Sequence, residues 1–419
     1  MANVNATTGT DNFNGSSGTT SGDDQISVTA QNRIQSGDLF DGGGGYDTLR
    51  ATASINFTSI VDSASSGIKN MERVLYTTGS TLTFRSDQFG SGLISDSVNI
   101  TGVTGSTQTL AINMSLGDTL DMSGWTFTNW TAGTDLITVT GSASTDTLVV
   151  GTERVTYNGG ASLDTVDFSA LSGQSVSLTL NGSTAISATT STGAVHTLSN
   201  VEYVIGTGGD DTINGDSAAN IITGGAGNDT LSGGGGDDKF ILSNGFGTDT
   251  ITGGESGETS GDSILARGAT GNLTVTYTGN DAGTITDGSN TATFSQIERV
   301  VVGAGNDTMN AAAATTAVYL DGSAGNDTLT GGSGNDTLIG DGDLLINGSL
   351  EAGMPANSVN YVAVEGWKNA SGDVLEVWGN GFNGESAADG VNFVEIDNTG
   401  TLNNDTLYQD VNTVAGQTY

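Results

Sequence analysis

Apolar residues recur at every ninth position in one part of this chain, within units whose first residues are small. The four consecutive units read GTGGDDTIN, GDSAANIIT, GGAGNDTLS and GGGGDDKFI and begin at Gly206, Gly215, Gly224 and Gly233. Their eighth residues are Ile213, Ile222, Leu231 and Phe240. Because side chains alternate between the faces of a strand, this spacing predicts short strands that each bury one side chain, separated by Gly-rich turns.

In the stretch before the first array, apolar and polar residues alternate with a period of two, as in 175–180, which is typical of half-buried strands. No sustained 3.6-residue period appears, and the chain has 66 Gly and only one Pro. We therefore predict an all-β fold, a solenoid of repeats with β-rich inserts.

The sixth residue of each unit offers a side-chain oxygen: Asp211, Asn220, Asp229 and Asp238. Glycine admits positive φ and lets backbone approach an ion, so a Gly-rich hexapeptide can bring its carbonyl oxygens together. Calcium takes about six to eight such oxygens. The units therefore predict calcium sites. A flexible linker is the alternative, but it would have no use for a regular apolar residue.

Further copies occur elsewhere. GSAGNDTLT and GGSGNDTLI begin at Gly322 and Gly331, with Leu329 and Leu338 at the core position, and a partial third unit spans 340–343. Single units contain Asp307 and Asp47, and looser forms occupy 22–26 and 9–13. Tandem units in phase are much stronger evidence of a site than a single Gly-x-Gly-x-Asp.

These units resemble the Gly-Gly-x-Gly-x-Asp-x-apolar-x nonapeptide of the RTX (repeats-in-toxin) family, a calcium-binding parallel β-roll. The resemblance implies ions between units one and three and between units two and four. Asp211 would then share a row with Asp229, and Asn220 with Asp238. Asn220 lacks a charge, so we expect its site to be the weakest. The candidate calcium ligands and turn residues are Gly206, Gly208, Asp211, Asn220, Gly224, Ala226, Gly227, Asp229, Gly233, Gly235, Gly236, Asp238, Asp307, Gly322, Gly325, Asp327, Gly331, Gly334, Asp336, Asp341, Asp343 and Asp47.

Charge supports a calcium-dependent fold. The chain has 47 acidic and 10 basic residues, a net charge of −37, and no Cys. Self-repulsion of this size opposes a compact state unless cations contribute. Nucleic acid is not expected as a partner, because phosphates would be repelled and no basic patch exists. His196 is the only histidine, and no catalytic motif is evident, so we predict no enzymatic activity.

No apolar leader or membrane-spanning stretch appears in the sequence. The RTX resemblance implies export by a type I system through an uncleaved C-terminal signal, with folding triggered outside the cell by calcium. We therefore expect an extracellular or cell-surface location.

A longer repeat is also present. NMERVL, NVEYVIG and QIERVVVG each contain an amide-apolar-Glu turn, and in the last two a strand-rich stretch leads into that turn and then into a Gly/Asp unit. Glu202 and Glu298 could bind metal, but we favour a hydrogen-bonding role. Trp125 and Trp130 could form a sugar-binding platform, although packing in the core is the interpretation that we favour.

From about Asp343 onward the sequence resembles the N-terminal half of a galactose-binding-like jelly roll, a β-sandwich. The motifs are NGSLE, EVWG, NFVEID and LYQDV. The resemblance implies a glycan site, with Trp367, Trp378 and Phe382 as candidates, whereas Trp378 and Phe393 are equally suited to a sandwich core. The sequence stops at Tyr419 where further strands would be expected, which suggests a fragment of a longer protein.

We predict five segments: a degenerate RTX-like module (1–80), a β-rich insert (81–157), two β modules that each end in an array (158–241 and 242–342), and the partial jelly roll (343–419). The favoured function is an extracellular, calcium-binding structural or adhesive protein of the bacterial surface. A self-assembling surface-layer lattice and the non-catalytic region of a secreted hydrolase are the alternatives. Calcium, surface glycan or further copies of the chain are the expected partners.

Overall fold

The computed structural model describes residues 3–14 and 22–340, and beyond them the backbone of four short strands between 343 and 396. The described chain is almost entirely β, and its helical segments are two single 3₁₀ turns, Gln31–Arg33 and Ser86–Gln88. The predicted all-β fold built from parallel repeats is confirmed. Two compact units are distinguished, Met1–Phe240 with Gly254–Thr259, and Ile241–Gly253 with Ser260–Tyr419. The five predicted segment boundaries stay a prediction.

Strands of the first unit are short, most of them of three to five residues. They are β1 Asn3–Asn5, β2 Asn12–Asn14, β3 Gln25–Val28, β4 Leu39–Asp41, β5 Thr48–Ala51, β6 Ile55–Asn56, β7 Gly67–Lys69, β8 Met71–Tyr76, β9 Thr81–Arg85, β10 Ile94–Thr101, β11 Thr109–Asn113, β12 Thr119–Asp121, β13 Thr126–Thr128, β14 Leu136–Thr140, β15 Thr147–Val149, β16 Val155–Asn158, β17 Thr165–Asp167, β18 Val176–Thr179, β19 Ile186–Thr190, β20 Val195–Ser199, β21 Tyr203–Ile205, β22 Thr212–Asn214, β23 Ile221–Thr223 and β24 Thr230–Gly235.

Parallel pairing between strands of successive coils organises this unit. One sheet follows the order β1-β3-β5-β8-β10-β13, and β2-β4-β7 form a smaller one. Two more run as β6-β9-β11-β14-β16 and β12-β15-β17-β21-β23. The register keeps equivalent residues in line, since Ile213 pairs with Leu231 and Val204 with Ile222. Two nonapeptides therefore make one coil, each contributing a strand to a different sheet.

The second unit and its border contain β25 Lys239–Ser243, β26 Thr248–Ser256, β27 Ser263–Gly268, β28 Thr274–Gly279, β29 Ala282–Thr286, β30 Thr291–Ser295, β31 Arg299–Val301, β32 Thr308–Asn310, β33 Tyr319–Asp321, β34 Thr328–Thr330, β35 Thr337–Gly340, β36 Asp343–Leu345, β37 Val359–Tyr361, β38 Leu375–Gly379 and β39 Asn392–Ile396. Within the unit, β27-β31-β33-β35 and β28-β32-β34 pair in parallel. β37, β38 and β39 form a separate antiparallel sheet.

Each unit contains a three-stranded antiparallel segment within its parallel pattern. β19 pairs with β18 and β20, and β29 pairs with β28 and β30. Both segments lie directly before an amide-apolar-Glu turn, at Asn200 and Gln296. The half-buried strand predicted from the alternation at 175–180 is β18, whose residues are alternately buried and exposed.

The core lies between the two strand rows of each coil. Ile213, Ile222, Leu231 and Phe240 are all buried, as their eighth position predicts. Such a core is built between neighbouring coils, so a coil depends on the next one for its burial.

Candidate metal centre

The residue directly before a strand, here called the pre-strand position, is an acid or amide in most coils, and these side chains stack along the solenoid. The backbone N–H of Asp211 donates to Oδ1 of Asp229 at 2.8 Å, and that of Asn220 to Oδ1 of Asp238 at 2.7 Å. Each pair is separated by 18 residues, one coil. Asp211 and Asp229 therefore share one row and Asn220 and Asp238 the other, as predicted.

The rows extend beyond the tandem array. In the first unit, the N–H of Asp118 donates to Asp146, that of Asp146 to Asp164, and that of Asp164 to Glu202, at 3.1, 2.8 and 2.9 Å. In the second unit, Asp307 donates to Asp327 at 2.8 Å and Val318 to Asp336 at 3.1 Å. One carboxylate oxygen thus satisfies the backbone of the preceding coil.

The other oxygen closes the turn to which the carboxylate belongs. Oδ2 of Asp211 accepts the N–H of Thr207 at 2.6 Å, and Oδ2 of Asp336 accepts that of Gly332 at 2.7 Å. The same bond joins Ser142 to Asp146 at 2.5 Å. In these three turns the carboxylate therefore fixes both the shape of its turn and the spacing to the neighbouring coil.

Glycine is required where these oxygens crowd the backbone. An ideal Cβ on Gly224 would lie 2.1 Å from Oδ2 of Asp229, and one on Gly225, where φ is 113°, would lie 2.0 Å from the Thr207 carbonyl oxygen. At Gly227, where φ is 118°, it would lie 2.6 Å from the Gly209 oxygen. Carbonyl and carboxylate oxygens thus pack around the same turns, and this all-oxygen donor set fits calcium.

Four of the buried carboxylates lack a basic partner among the described residues. Asp47, Asp164, Asp211 and Asp307 are at most 1% exposed. None of the four forms an ion pair with a basic side chain in the described ranges, where the recorded pairs are Lys69–Asp62, Arg85–Asp87 and Arg267–Asp321. Oδ2 of Asp47, Asp164 and Asp307 also has no hydrogen-bond partner. Burying an uncompensated carboxylate is costly, so a divalent cation would stabilise these positions.

The cost of burying these carboxylates is also seen in their raised pKa values. Burial is the main cause that raises the pKa of the carboxyl groups of Asp47, Asp164, Asp211 and Asp307. It raises the pKa of Asp238 to about 7, although the N–H of Asn220 opposes the shift. Protons and a cation would compete for these oxygens.

Asn220 keeps the geometry of the row without its charge. Its Oδ1 accepts the N–H of Asp216 at 2.8 Å, whereas its Nδ2 is buried without a hydrogen-bond partner. The N–H of Glu202, one coil earlier, donates instead to the carbonyl of Asp164. A buried N–H₂ group stands where other units place a second oxygen, which agrees with a weaker site here.

The second array is less enclosed than the first. Asp307 and Asp336 are buried, but Asp327 is half-buried, and the predicted core residues Leu329 and Leu338 are also half-buried. Ala226, predicted within a turn, is exposed. Gly233 and Gly235, predicted within a turn, lie instead in the last part of β24. The remaining predicted turn residues lie in turns before strands: Gly206, Gly208, Gly236, Gly322, Gly325, Gly331 and Gly334.

Several predicted site residues lie outside the described residues or are described by their backbone alone. Asp341, Trp367 and Phe382 lie outside the described residues. Asp343 begins β36, which pairs antiparallel with β35, and Trp378 lies on β38, described here by its backbone alone. Their roles stay predictions.

Sequence reasoning missed part of the rows. Asp38, Asp118, Asp164 and Asp262 occupy the same pre-strand position as the predicted ligands. Asp11 and Asp24 of the looser units, and Asp135 and Asp146, whose Asp-x-apolar pattern is a degenerate echo of the unit, occupy it as well. All of them precede a strand in the pattern Asp-x-apolar, for example Asp164-Thr165-Val166. Searching for this three-residue pattern, rather than for the glycines, would have found them.

Two other predictions have clear outcomes. The hydrogen-bonding role favoured for Glu202 and Glu298 is confirmed, because each accepts the N–H of an Asp one coil earlier. Trp125 is buried and its ring lies 4.7 Å from that of Phe89, so it packs in the core. His196 is fully buried, and its desolvation, with Arg154 nearby, lowers its pKa to about 4.

The model of the RTX calcium-binding nonapeptide repeat (4 copies) matches residues 205–240 and 319–343. Such repeats bind calcium at multiple sites, so the RTX identification and the calcium prediction are confirmed. A comparison with curated proteins found no significant match. None of the helical segments described is long and apolar enough to cross a bilayer.

Proposed function

We propose that this chain is a calcium-dependent structural protein that works outside the cell, where its repeats fold as calcium fills the rows of buried carboxylates. The observation that carries the proposal is the stack of Asp211 on Asp229, both buried and joined through the backbone. Without a cation, each coil added to the row would add buried negative charge, and folding would be opposed.

The location follows from affinity. Extracellular calcium modules typically bind at about 10⁻⁴ to 10⁻³ M, so cytosolic calcium would leave these sites empty. At roughly 100 times the dissociation constant, one site contributes about 2.7 kcal/mol to the free energy of unfolding. Several sites in one array suffice to switch the chain from unfolded during export to folded outside. RTX repeat proteins are typically secreted, which supports this order of events.

Within that role we favour adhesion at the bacterial surface, with the repeats as a stalk and the segment from about residue 343 as the contact to surface glycan. The resemblance of that segment to a jelly roll supports the proposal. A calcium-assembled lattice and an accessory region of a hydrolase are the competing roles. Measuring particle size in solution distinguishes the lattice from a monomeric stalk.

The test is a calcium titration of the chelator-treated full chain, followed by far-UV circular dichroism and light scattering in one sample. A cooperative gain of β signal below about 1 mM calcium at constant size supports a monomeric stalk. The same gain with rising scatter replaces the stalk by a lattice. A full β signal in chelator that calcium leaves unchanged overturns the proposed function.

Glycan contact is tested separately on the calcium-loaded chain with an array of bacterial surface glycans. Binding that is lost in Trp378→Ala while the β signal is retained supports adhesion, and absence of binding by the parent chain counts against it.

A further inference from the structure

Three turns of this chain share one design. They are Asn70-Met71-Glu72, Asn200-Val201-Glu202 and Gln296-Ile297-Glu298, and their first residues have φ of 52°, 51° and 57°. Their middle residues are all buried in the core. The family match at 205–240 and 319–343 includes none of the three turns.

Each glutamate accepts the backbone N–H of a pre-strand aspartate; Glu202 and Glu298 directly precede a strand, and Glu72 is the second residue of β8. Oε2 of Glu72 accepts the N–H of Asp47 at 2.7 Å, and Oε2 of Glu202 accepts that of Asp164 at 2.9 Å. In return, the glutamate N–H groups donate to the carbonyl oxygens of the same two aspartates at 3.1 and 3.2 Å. The glutamate therefore does for its coil what a sixth-position aspartate does in the tandem array.

The first residue of the amide-apolar-Glu turn supplies a backbone carbonyl oxygen, as a residue of the nonapeptide turn does in the array. An ideal Cβ on Gly206, in the array, would lie 2.3 Å from the Gly224 carbonyl oxygen and 2.4 Å from Oδ2 of Asp211. On Gly159 it would lie 2.0 Å from the Asn200 carbonyl oxygen and 2.8 Å from Oδ2 of Asp164. A carbonyl and a carboxylate oxygen thus meet at the same point in both kinds of turn.

Near two of these turns, a buried carboxylate oxygen has no hydrogen-bond partner in the described part of the chain. Asp47 is 1% and Asp164 0% exposed, and Oδ2 of each lacks a hydrogen-bond partner. At Gly42, the ideal Cβ would lie 2.3 Å from the Asn70 carbonyl oxygen and 2.5 Å from Cβ of Asp47. In both turns a buried aspartate with an unpaired carboxylate oxygen donates its N–H to a second carboxylate and lies close to a carbonyl oxygen. A cation would compensate this buried charge.

We propose that the turns at Asn70 and Asn200 each complete a calcium site outside the tandem arrays. Asp47, Glu72 and the Asn70 carbonyl would supply one site, and Asp164, Glu202 and the Asn200 carbonyl the other. Calcium fits because all the donors are oxygens and two of them carry charge. A three-residue turn would thus replace the six-residue Gly-rich turn as the second half of a site. This inference rests on the proposed function, since it assumes that calcium drives folding.

The test counts the calcium ions bound to the full chain by native mass spectrometry, with affinities from calorimetry. Glu72→Gln and Glu202→Gln keep an oxygen that can accept the aspartate N–H but remove the charge. We expect each variant to lose one tightly bound ion and the double variant two. The control is Asp96→Asn, an exposed carboxylate of β10 outside the rows, which should bind as many ions as the parent.

Asp229→Ala, in the tandem array, separates the two hypotheses. If Asp229→Ala loses calcium while Glu72→Gln and Glu202→Gln bind like the parent, this inference is overturned and the proposed function stands. If the parent binds no calcium, both fail. Circular dichroism in saturating calcium checks that the Gln variants fold like the parent, and should one of the two differ, the other decides.

Discussion

Asp211 and Asp229 lie one coil apart, and the backbone N–H of the first donates to Oδ1 of the second at 2.8 Å. Each aspartate thus has two tasks, since it holds the backbone of the preceding coil and presents carboxylate oxygen to the turn. Losing one such side chain removes a backbone partner as well as a charged ligand. The consequences can be separated by choosing substitutions that remove one property at a time.

Removing the carboxylate should weaken folding in calcium. We expect Asp229→Ala and Asp327→Ala to raise the calcium concentration at the folding midpoint more than Asn220→Ala does. A site filled to about 100 times its dissociation constant contributes about 2.7 kcal/mol, which Asn220 supplies only in part. Calcium titrations followed by circular dichroism give the three midpoints, and equal midpoints would contradict the ranking.

Restoring a carboxylate at position 220 should have opposite effects in the two calcium states. Asn220→Asp exchanges the unpartnered Nδ2 for an oxygen, so the array should bind calcium more tightly, by about tenfold if about 1.4 kcal/mol is gained. At a calcium concentration too low to fill the site, the added buried charge should lower the melting temperature. Calorimetry and thermal melts measure both changes.

Asn228→Asp serves as the control for Asn220→Asp, because it adds the same charge at an exposed position two residues before β24 begins. We expect it to leave calcium affinity nearly unchanged. If both variants tighten binding equally, net charge rather than the row is responsible.

Glycine at the first position of a unit should be irreplaceable. The Cβ of Gly224→Ala would lie 2.1 Å from Oδ2 of Asp229, so the turn must shift and the row with it. We expect a loss of about 1–3 kcal/mol in the free energy of unfolding in calcium, measured by chemical denaturation, together with weaker calcium binding.

Gly208→Ala is the matched control within the same array, because no atom lies within 4 Å of its ideal Cβ. It should be neutral or stabilise by about 0.4–1 kcal/mol through the unfolded chain. A comparable loss in both variants would mean that backbone freedom, rather than room for the carboxylate, explains the glycine at Gly224.

Tandem motifs made the array predictable, because Gly, Asp and an apolar residue at fixed offsets constrain the turn and the strand at once. Ile213 and Leu231 are buried as their positions require. Asp164 was not counted as a ligand, since its turn reads GGASLD and has Ser162 where the repeat has its third Gly. The pairing partner of Asp164 lies 38 residues away across a hairpin, a distance that no local period reveals.

The Glu202 turn shows a second limit of sequence reasoning. Its hydrogen-bonding role followed from the repeated amide-apolar-Glu sequence. The replacement of a whole Gly-rich turn by the Asn200 carbonyl and the Glu202 carboxylate depends on the backbone geometry at Asn200, where φ is 51°. Positive φ at a non-glycine residue is uncommon, and the sequence alone does not specify it.

Acid should weaken calcium binding and yet stabilise the metal-free array. Burial raises the folded pKa of Asp238 to about 7, above the ordinary value of 3.8 for an aspartate. Between these values the folded state binds more protons than the unfolded one, so the contribution of Asp238 to metal-free stability is present below the unfolded pKa and is lost as pH rises through about 7. Calcium must displace the proton, so apparent affinity should fall about tenfold from pH 8 to pH 6. His196 opposes the stability trend, because its folded pKa of about 4 lies below the ordinary histidine value of 6.5, and stability is lost as pH falls between them. Asp238→Asn should remove most of the pH dependence of calcium affinity, whereas Asp210→Asn, an exposed neighbour in the array, should retain it. Calorimetry at pH 6, 7 and 8 measures the affinities, and an unchanged pH dependence in Asp238→Asn would show that another group holds the competing proton.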